Sequence, residues 1–146
     1  MTSLQHIPEG FEPFIGASPF VLHLGDVYIR YDGDRRILGV RIAAHHHNMH
    51  GMAHGGMLLT LADTALGINL STSQNPPVPV VTANLTADFL EPARPLDWVE
   101  AHVEVFRVGR RLAFAEVRLV ANDRLLVRAN ATFAVMGAPG SAPSDG

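Results

Sequence analysis

The sequence predicts an α+β fold in which one long helix is wrapped by an antiparallel sheet of about five to six strands. Three observations carry that expectation. From Gly56 to Leu70 the residues Met57, Leu58, Leu59, Leu61, Ala62, Ala65, Leu66, Ile68 and Leu70 leave no polar face, and a helix apolar all round is normally buried. Elsewhere the chain alternates with the period of a strand, most clearly where Val99, Ala101, Val103 and Val105 interleave with Glu100, His102 and Glu104. Turn signals at Asp32-Gly33-Asp34, Gly109-Arg110-Arg111 and Asn122-Asp123 join successive strand-like stretches.

In chain order, residues 1–17 mix Pro, Gly and Phe without periodicity and read as coil. Ser18-Pro19 is an N-cap followed by a first helical position, and Gly25 closes a short helix through Phe20, Val21 and Leu24. Phe14 and Phe20 are expected in the core or along a pocket. Residues 26–31 and 36–43 form a hairpin that delivers the chain into a His-rich loop, and the long helix follows. Residues 71–79 are polar and proline-rich and cannot continue it. Strands are then expected over 80–90, 98–106, 112–121 and 124–136, so that residues 18–136 form a single domain. The tail 137–146 has few bulky residues and reads as disordered.

Composition narrows the function. A chain of 146 residues is long enough for one domain with its own core. The absence of cysteine excludes disulfide, thiol and zinc-thiolate chemistry. A net charge of -3 without a long basic run argues against a nucleic-acid partner. The first residues lack the basic start and apolar centre of a signal peptide, and no uncharged run reaches the roughly 18 to 20 residues of a membrane span. A soluble, cytoplasmic protein is expected.

The chemistry concentrates between His45 and Leu70. Asp63 is the helix's single charge, and a carboxylate there must be paired, hydrogen-bonded or raised in pKa, because an unpaired buried charge costs several kcal/mol. A structural hydrogen bond would satisfy it as well as a reaction would. At the helix entrance, Gly55-Gly56 lets backbone approach a ligand closely, and the first turn offers unpaired N–H groups able to hold an oxyanion. Asn48 and His54 add two side-chain donors. Gly55 and Asp63 lie eight residues apart, roughly 12 Å along one helix, too far to act on the same bond. If they cooperate, they belong to two subunits whose helices run antiparallel about a two-fold axis.

The set Asn48, Gly51, His54-Gly55-Gly56, Leu61 and Asp63, with the later segment TANLTADFLEPA from Thr82, resembles the hotdog-fold acyl-CoA thioesterases, particularly the phenylacetate-degradation (PaaI-like) group. The resemblance covers about residues 11–136. It implies that Asp63 is the catalytic carboxylate, activating water or attacking the thioester, and that the Gly55 N–H holds the thioester oxygen. It further implies that Asn48 and His54 orient the carbonyl or the water, and that Thr82 helps position the water from the carboxylate's side. A homodimer, assembled further as a dimer of dimers, is implied too. No cofactor and no metal is needed.

Several features are weighed against this reading. His45, His46, His47 and His50 depart from the family pattern. Imidazoles suit Zn, Ni or Cu, but adjacent residues of an extended segment point to opposite sides, so solvated or hydrogen-bonding histidines are the simpler account. Arg107, Arg110 and Arg111, with Gly56, are candidate coenzyme A contacts, because Arg forks suit phosphate; Arg94 and Arg128 are similar candidates elsewhere. Met52, Met57, Phe89 and Phe114 are candidate pocket residues. The expected reaction is hydrolysis of an aryl- or medium-chain acyl-CoA. The competing readings are a hotdog dehydratase or hydratase and a non-catalytic acyl-CoA binding module.

Overall fold

The structure, a computed structural model, describes residues 6–137. The tail expected to be disordered lies outside the described residues from residue 138 on, as do the first five residues of the N-terminal segment.

The elements follow in the order β1 (Glu12–Pro13), β2 (Val27–Asp32), β3 (Arg35–Arg41), α1 (Gly55–Thr72), β4 (Val80–Phe89), β5 (Trp98–Val108), β6 (Leu112–Ala121) and β7 (Arg124–Val135). The described strands form one antiparallel sheet in the order β1-β2-β3-β5-β6-β7-β4. There are thus seven strands where about five to six were expected. The additional one, β1, is a two-residue piece inside the segment read as coil, too short to show a period. The short helix expected from Pro19 is a single 3-10 turn, Val21–Leu24; Ser18 still serves it, its Oγ accepting the Val21 N–H at 3.3 Å.

Alternation in the strands sets one wall of the core. Leu38, Ala101, Leu119 and Val127 form a row across β3, β5, β6 and β7, and Ala115 with Ala131 and Val117 with Ala129 form parallel rows. All are buried, and the alanines leave room for α1 to lie close to the sheet. From the helix come Leu58, Leu61, Ala62, Ala65, Leu66 and Leu70, all buried. Each large side chain removed from water contributes ~1.5–3 kcal/mol. Trp98 lies across β3 because position 39 is glycine: a Cβ there would stand 2.3 Å from the indole ring.

The helix is not apolar all round. Thr60, Asp63, Thr64, Gly67 and Ser71 make a stripe of small and polar residues that is only half-buried. The threonines pass as apolar because Thr60 and Thr64 donate to the carbonyls of Gly56 and Thr60, at 2.9 and 2.7 Å. At the other end, buried Asn69 accepts the Arg36 N–H at 2.9 Å and donates to the Arg36 carbonyl at 2.8 Å. Arg36 lies before the point where β5 begins to pair with β3, so this side chain stands in for the missing strand.

Between α1 and the sheet the connection is long. The chain leaves β3, crosses one sheet face as α1 and returns as β4 at the far edge, beside β7. That crossing sets the middle of α1 against the start of β4.

Candidate active site

The loop entering α1 is held by its own side chains. His46 is buried; its Nδ1 accepts the Ala43 N–H at 2.9 Å and its Nε2 donates to the Leu24 carbonyl at 2.6 Å. The His45 Nε2 reaches the same carbonyl at 2.9 Å. Burial holds His46 below the ordinary imidazole value, against the opposing pull of the Leu24 carbonyl and with smaller help from His45 and His47. These two histidines thus tie the loop to the 3-10 turn.

Further on, Asn48 Oδ1 accepts the N–H groups of His50 and Met52, at 2.9 and 3.2 Å, closing a tight turn in which Gly51 takes φ +78°. Among the described residues its amide NH₂ has no acceptor, so Asn48 shapes the loop and keeps a donor to spare. The His54 N–H then bonds the His46 carbonyl at 2.8 Å, and His54 becomes the N-cap of α1.

That cap determines which groups remain free. His54 Nδ1 accepts the Gly56 N–H at 2.8 Å, so the neutral ring carries its proton on Nε2 and presents that N–H outward. Gly56 has its amide occupied, whereas the Gly55 N–H has no acceptor among the described residues. The Phe89 ring stands over it: a Cβ on Gly55 would lie 3.4 Å from the nearest ring carbon. The entrance of α1 therefore offers the Gly55 amide, the His54 Nε2–H and the Asn48 amide.

Two turns along α1, Asp63 is half-buried, and Thr82 of β4 donates its hydroxyl to Asp63 Oδ1 at 2.5 Å. Ala83 is a bulge residue: Thr82 pairs with Phe133 and Asn84 with Thr132, which breaks the strand's alternation beside Thr82. Asp63 Oδ2 has no partner among the described residues. One oxygen is fixed and the other is free to take a proton or to attack.

Asp63 and Thr82 open onto a groove of about 380 Å³ between the helix stripe, the start of β4 and the N-terminal segment. Phe14 lines it, as expected of a pocket residue, whereas Phe20 is 68 % exposed and does not. Met57 is core, Phe114 sits outward on β6, and Phe89 lies by Gly55 rather than in this groove. Arg107, Arg110 and Arg111 are exposed at the β5–β6 turn. Register places that turn at the sheet end holding Thr82, since Ala113 pairs with Phe133 and Phe133 with Thr82. Arg94 is exposed before β5, and Arg128 pairs with Asp88 at 3.0 Å on the β7–β4 surface. Asn69, an isolated amide in an apolar run, carries no signal that local pattern can read.

The fold, one helix laid across an antiparallel sheet, matches known proteins. The sequence profile of the thioesterase superfamily covers residues 50–128. The chain belongs to that superfamily. A Pseudomonas aeruginosa protein provisionally named an esterase is 42 % identical over 131 residues, which is 89 % of this chain and 98 % of that one. The thioesterase fold here superimposes on an Asn-to-Asp variant of the phenylacetic acid degradation protein PaaI from Thermus thermophilus, with a TM-score of 0.73 and 27 % identity over 82 % of this chain and 100 % of the other. A hypothetical thioesterase from Streptococcus pneumoniae, solved with coenzyme A, shares the fold at a TM-score of 0.70 and 22 % identity, over 77 % of this chain and 90 % of its own. The superfamily's hotdog fold is the one described above, with α1 as the filling and the sheet around it.

Proposed function

We propose that this thioesterase hydrolyses an aryl- or medium-chain acyl-CoA to the free acid and coenzyme A, at a site made by two subunits. One observation carries the reading: the free Gly55 amide and the Thr82-held Asp63 are complementary in chemistry yet roughly 12 Å apart on one rigid helix. Antiparallel packing of two copies of α1 would bring each amide to the other chain's carboxylate, giving two equivalent sites. The sheet suits such a pairing, because β4 is a ten-residue edge strand with no outer partner among the described residues. Coenzyme A in the related Streptococcus structure supports the thiol part, and the Arg107, Arg110 and Arg111 guanidiniums at the Thr82 end suit its phosphates.

In the reaction, the thioester carbonyl docks on the Gly55 N–H, with His54 Nε2–H and Asn48 as further donors. Asp63 Oδ2 of the other subunit takes a proton from water as the oxygen attacks the carbonyl carbon. The tetrahedral oxyanion collapses, the C–S bond breaks, and the proton on Asp63 passes to the departing thiolate. Direct attack by Asp63 would instead break the C–S bond, release the coenzyme A thiolate and form a mixed anhydride, which water then cleaves to the acid and free Asp63. The fold operates in the cytoplasm as a dimer or dimer of dimers in this reading.

Release of free thiol from phenylacetyl-, benzoyl-, short and medium acyl-CoAs tests the proposal. Asp63→Asn keeps the shape but can neither accept the proton nor attack, and should lose at least ~100-fold in turnover. Tight binding without thiol release from any of them would leave a binding module, and a change in enoyl absorbance without thiol would leave a hydratase.

A further inference from the structure

We propose that the groove beside Asp63 receives the acyl chain, that it selects an apolar, uncharged acyl group, and that Gly67 sets its width; this rests on the thioesterase reading above. Asp63 and Thr82 form part of the groove wall, so a thioester carbon held at Asp63 lies against the groove, and its acyl chain is assigned to the apolar part beyond. Beyond them the lining turns apolar, with Phe14, Val21, Ile68, Val80 and Phe133. Each hydroxyl along it already makes one hydrogen bond within the chain. Ser18 Oγ accepts the Val21 N–H at 3.3 Å, Thr64 donates to the Thr60 carbonyl at 2.7 Å, and Thr82 donates to Asp63. An acyl hydroxyl entering here would lose its water without finding a side chain set aside for it, and an acyl carboxylate would also meet the Asp63 charge.

Gly67 follows Asp63 by one helical turn and lies on the same stripe. Among the described residues, a Cβ at this position would have one neighbour within 4 Å, a Phe133 ring carbon at 3.6 Å, and otherwise open space. The missing side chain is therefore groove volume. At about 380 Å³ the groove is near the lower end of small-molecule pockets, roughly 300–1,000 Å³, so one branched side chain would take much of it. The opposite wall is anchored: the Phe14 N–H bonds the Val27 carbonyl at 2.9 Å, and the following turn is held at Leu24 by His45 and His46.

The experiment measures kcat/KM for acetyl-, octanoyl-, phenylacetyl- and succinyl-CoA with the native chain, Gly67→Ala and Gly67→Leu. Gly67→Leu should lower the ratio of octanoyl to acetyl turnover by about tenfold or more, with Gly67→Ala between it and the native chain. Succinyl-CoA should be the poorest of the longer substrates. An unchanged octanoyl-to-acetyl ratio in Gly67→Leu, or succinyl turnover equal to octanoyl, overturns the assignment. Methyl NMR of the Asp63→Asn protein with octanoyl-CoA gives a second readout that needs neither folding of Gly67→Leu nor turnover. Shifts at Ile68 and Val80 are expected, and their absence at saturation overturns the groove. Absence of thiol release by the native chain, with those shifts present, would instead fail the thioesterase reading and leave the groove standing.

Discussion

The first turn of α1 and its middle are held in different ways. At the first turn the contacts that aim the donors are short in sequence, though the loop is also tied to Leu24 and Ala93: Asn48 closes its own turn, His54 caps its own helix, and the His46 carbonyl takes the His54 N–H. The middle depends on one long-range bond, from Thr82 across the crossover to Asp63. A loop can preorganise donors locally, whereas a carboxylate in an apolar helix needs a partner from another element. The two edges of the sheet differ in a parallel way. β1 is two residues long and contains Pro13, a blunted edge, while β4 runs for ten residues with its outer side unpaired among the described residues.

The sharpest test of that contrast separates the two halves onto different chains. Asp63→Asn should be ~100-fold or more below the native rate, and Gly55→Pro, which removes the N–H but suits a first helical position, should be similarly inactive. Mixed after dissociation, the two inactive proteins should regain up to about a quarter of native activity, because half the random dimers carry one intact site of two. No recovery despite mixing shown by native mass spectrometry would place both groups on one chain.

A smaller effect is expected at the tie itself. Thr82→Val keeps the strand but frees Asp63 Oδ1, and should lower kcat by about tenfold, the worth of ~1.4 kcal/mol, with KM little altered. A change confined to KM would make Thr82 a groove residue rather than a support for the carboxylate.

The loop half should respond to acid. His46 is held below its ordinary value of 6.5, so the folded chain binds fewer protons there than the unfolded chain does. The stability this contributes is complete above pH 6.5 and is lost as the pH falls from there through the lowered folded value. The thermal midpoint should therefore decline on the acid side, less steeply in His46→Gln. Glu100, held low first by its hydrogen bond from His102, loses its contribution only below its ordinary 4.5, so the two windows separate. Equal slopes for His46→Gln and the native chain would remove His46 as the acid-sensitive anchor.

Much of the arrangement was legible from local pattern. The periods of two and of helix type place β5, β6, β7 and α1 within a few residues, since burial on one sheet face or around one helix must repeat with the backbone's own geometry. The Gly55 amide and the His54 donor were legible because caps and first turns are local chemistry. Thr82 was reached only through resemblance, and no periodic rule could have found it: its tie to Asp63 depends on the crossover and on the bulge at Ala83. The polar stripe on α1 was hidden because threonines that bond their own helix count as apolar by pattern.

What the sequence by itself determined is therefore the helix, the strands, the capped glycine entrance and the isolated carboxylate, because each follows from neighbours a few residues away. Tertiary structure alone decided that β4 would lie at the far edge beside β7, that Thr82 would fix Asp63, that Asn69 would complete β3, and that Gly67 would open a groove under Phe14. Each of those joins residues distant in the chain, and such a contact is specified only when the core on both sides has packed.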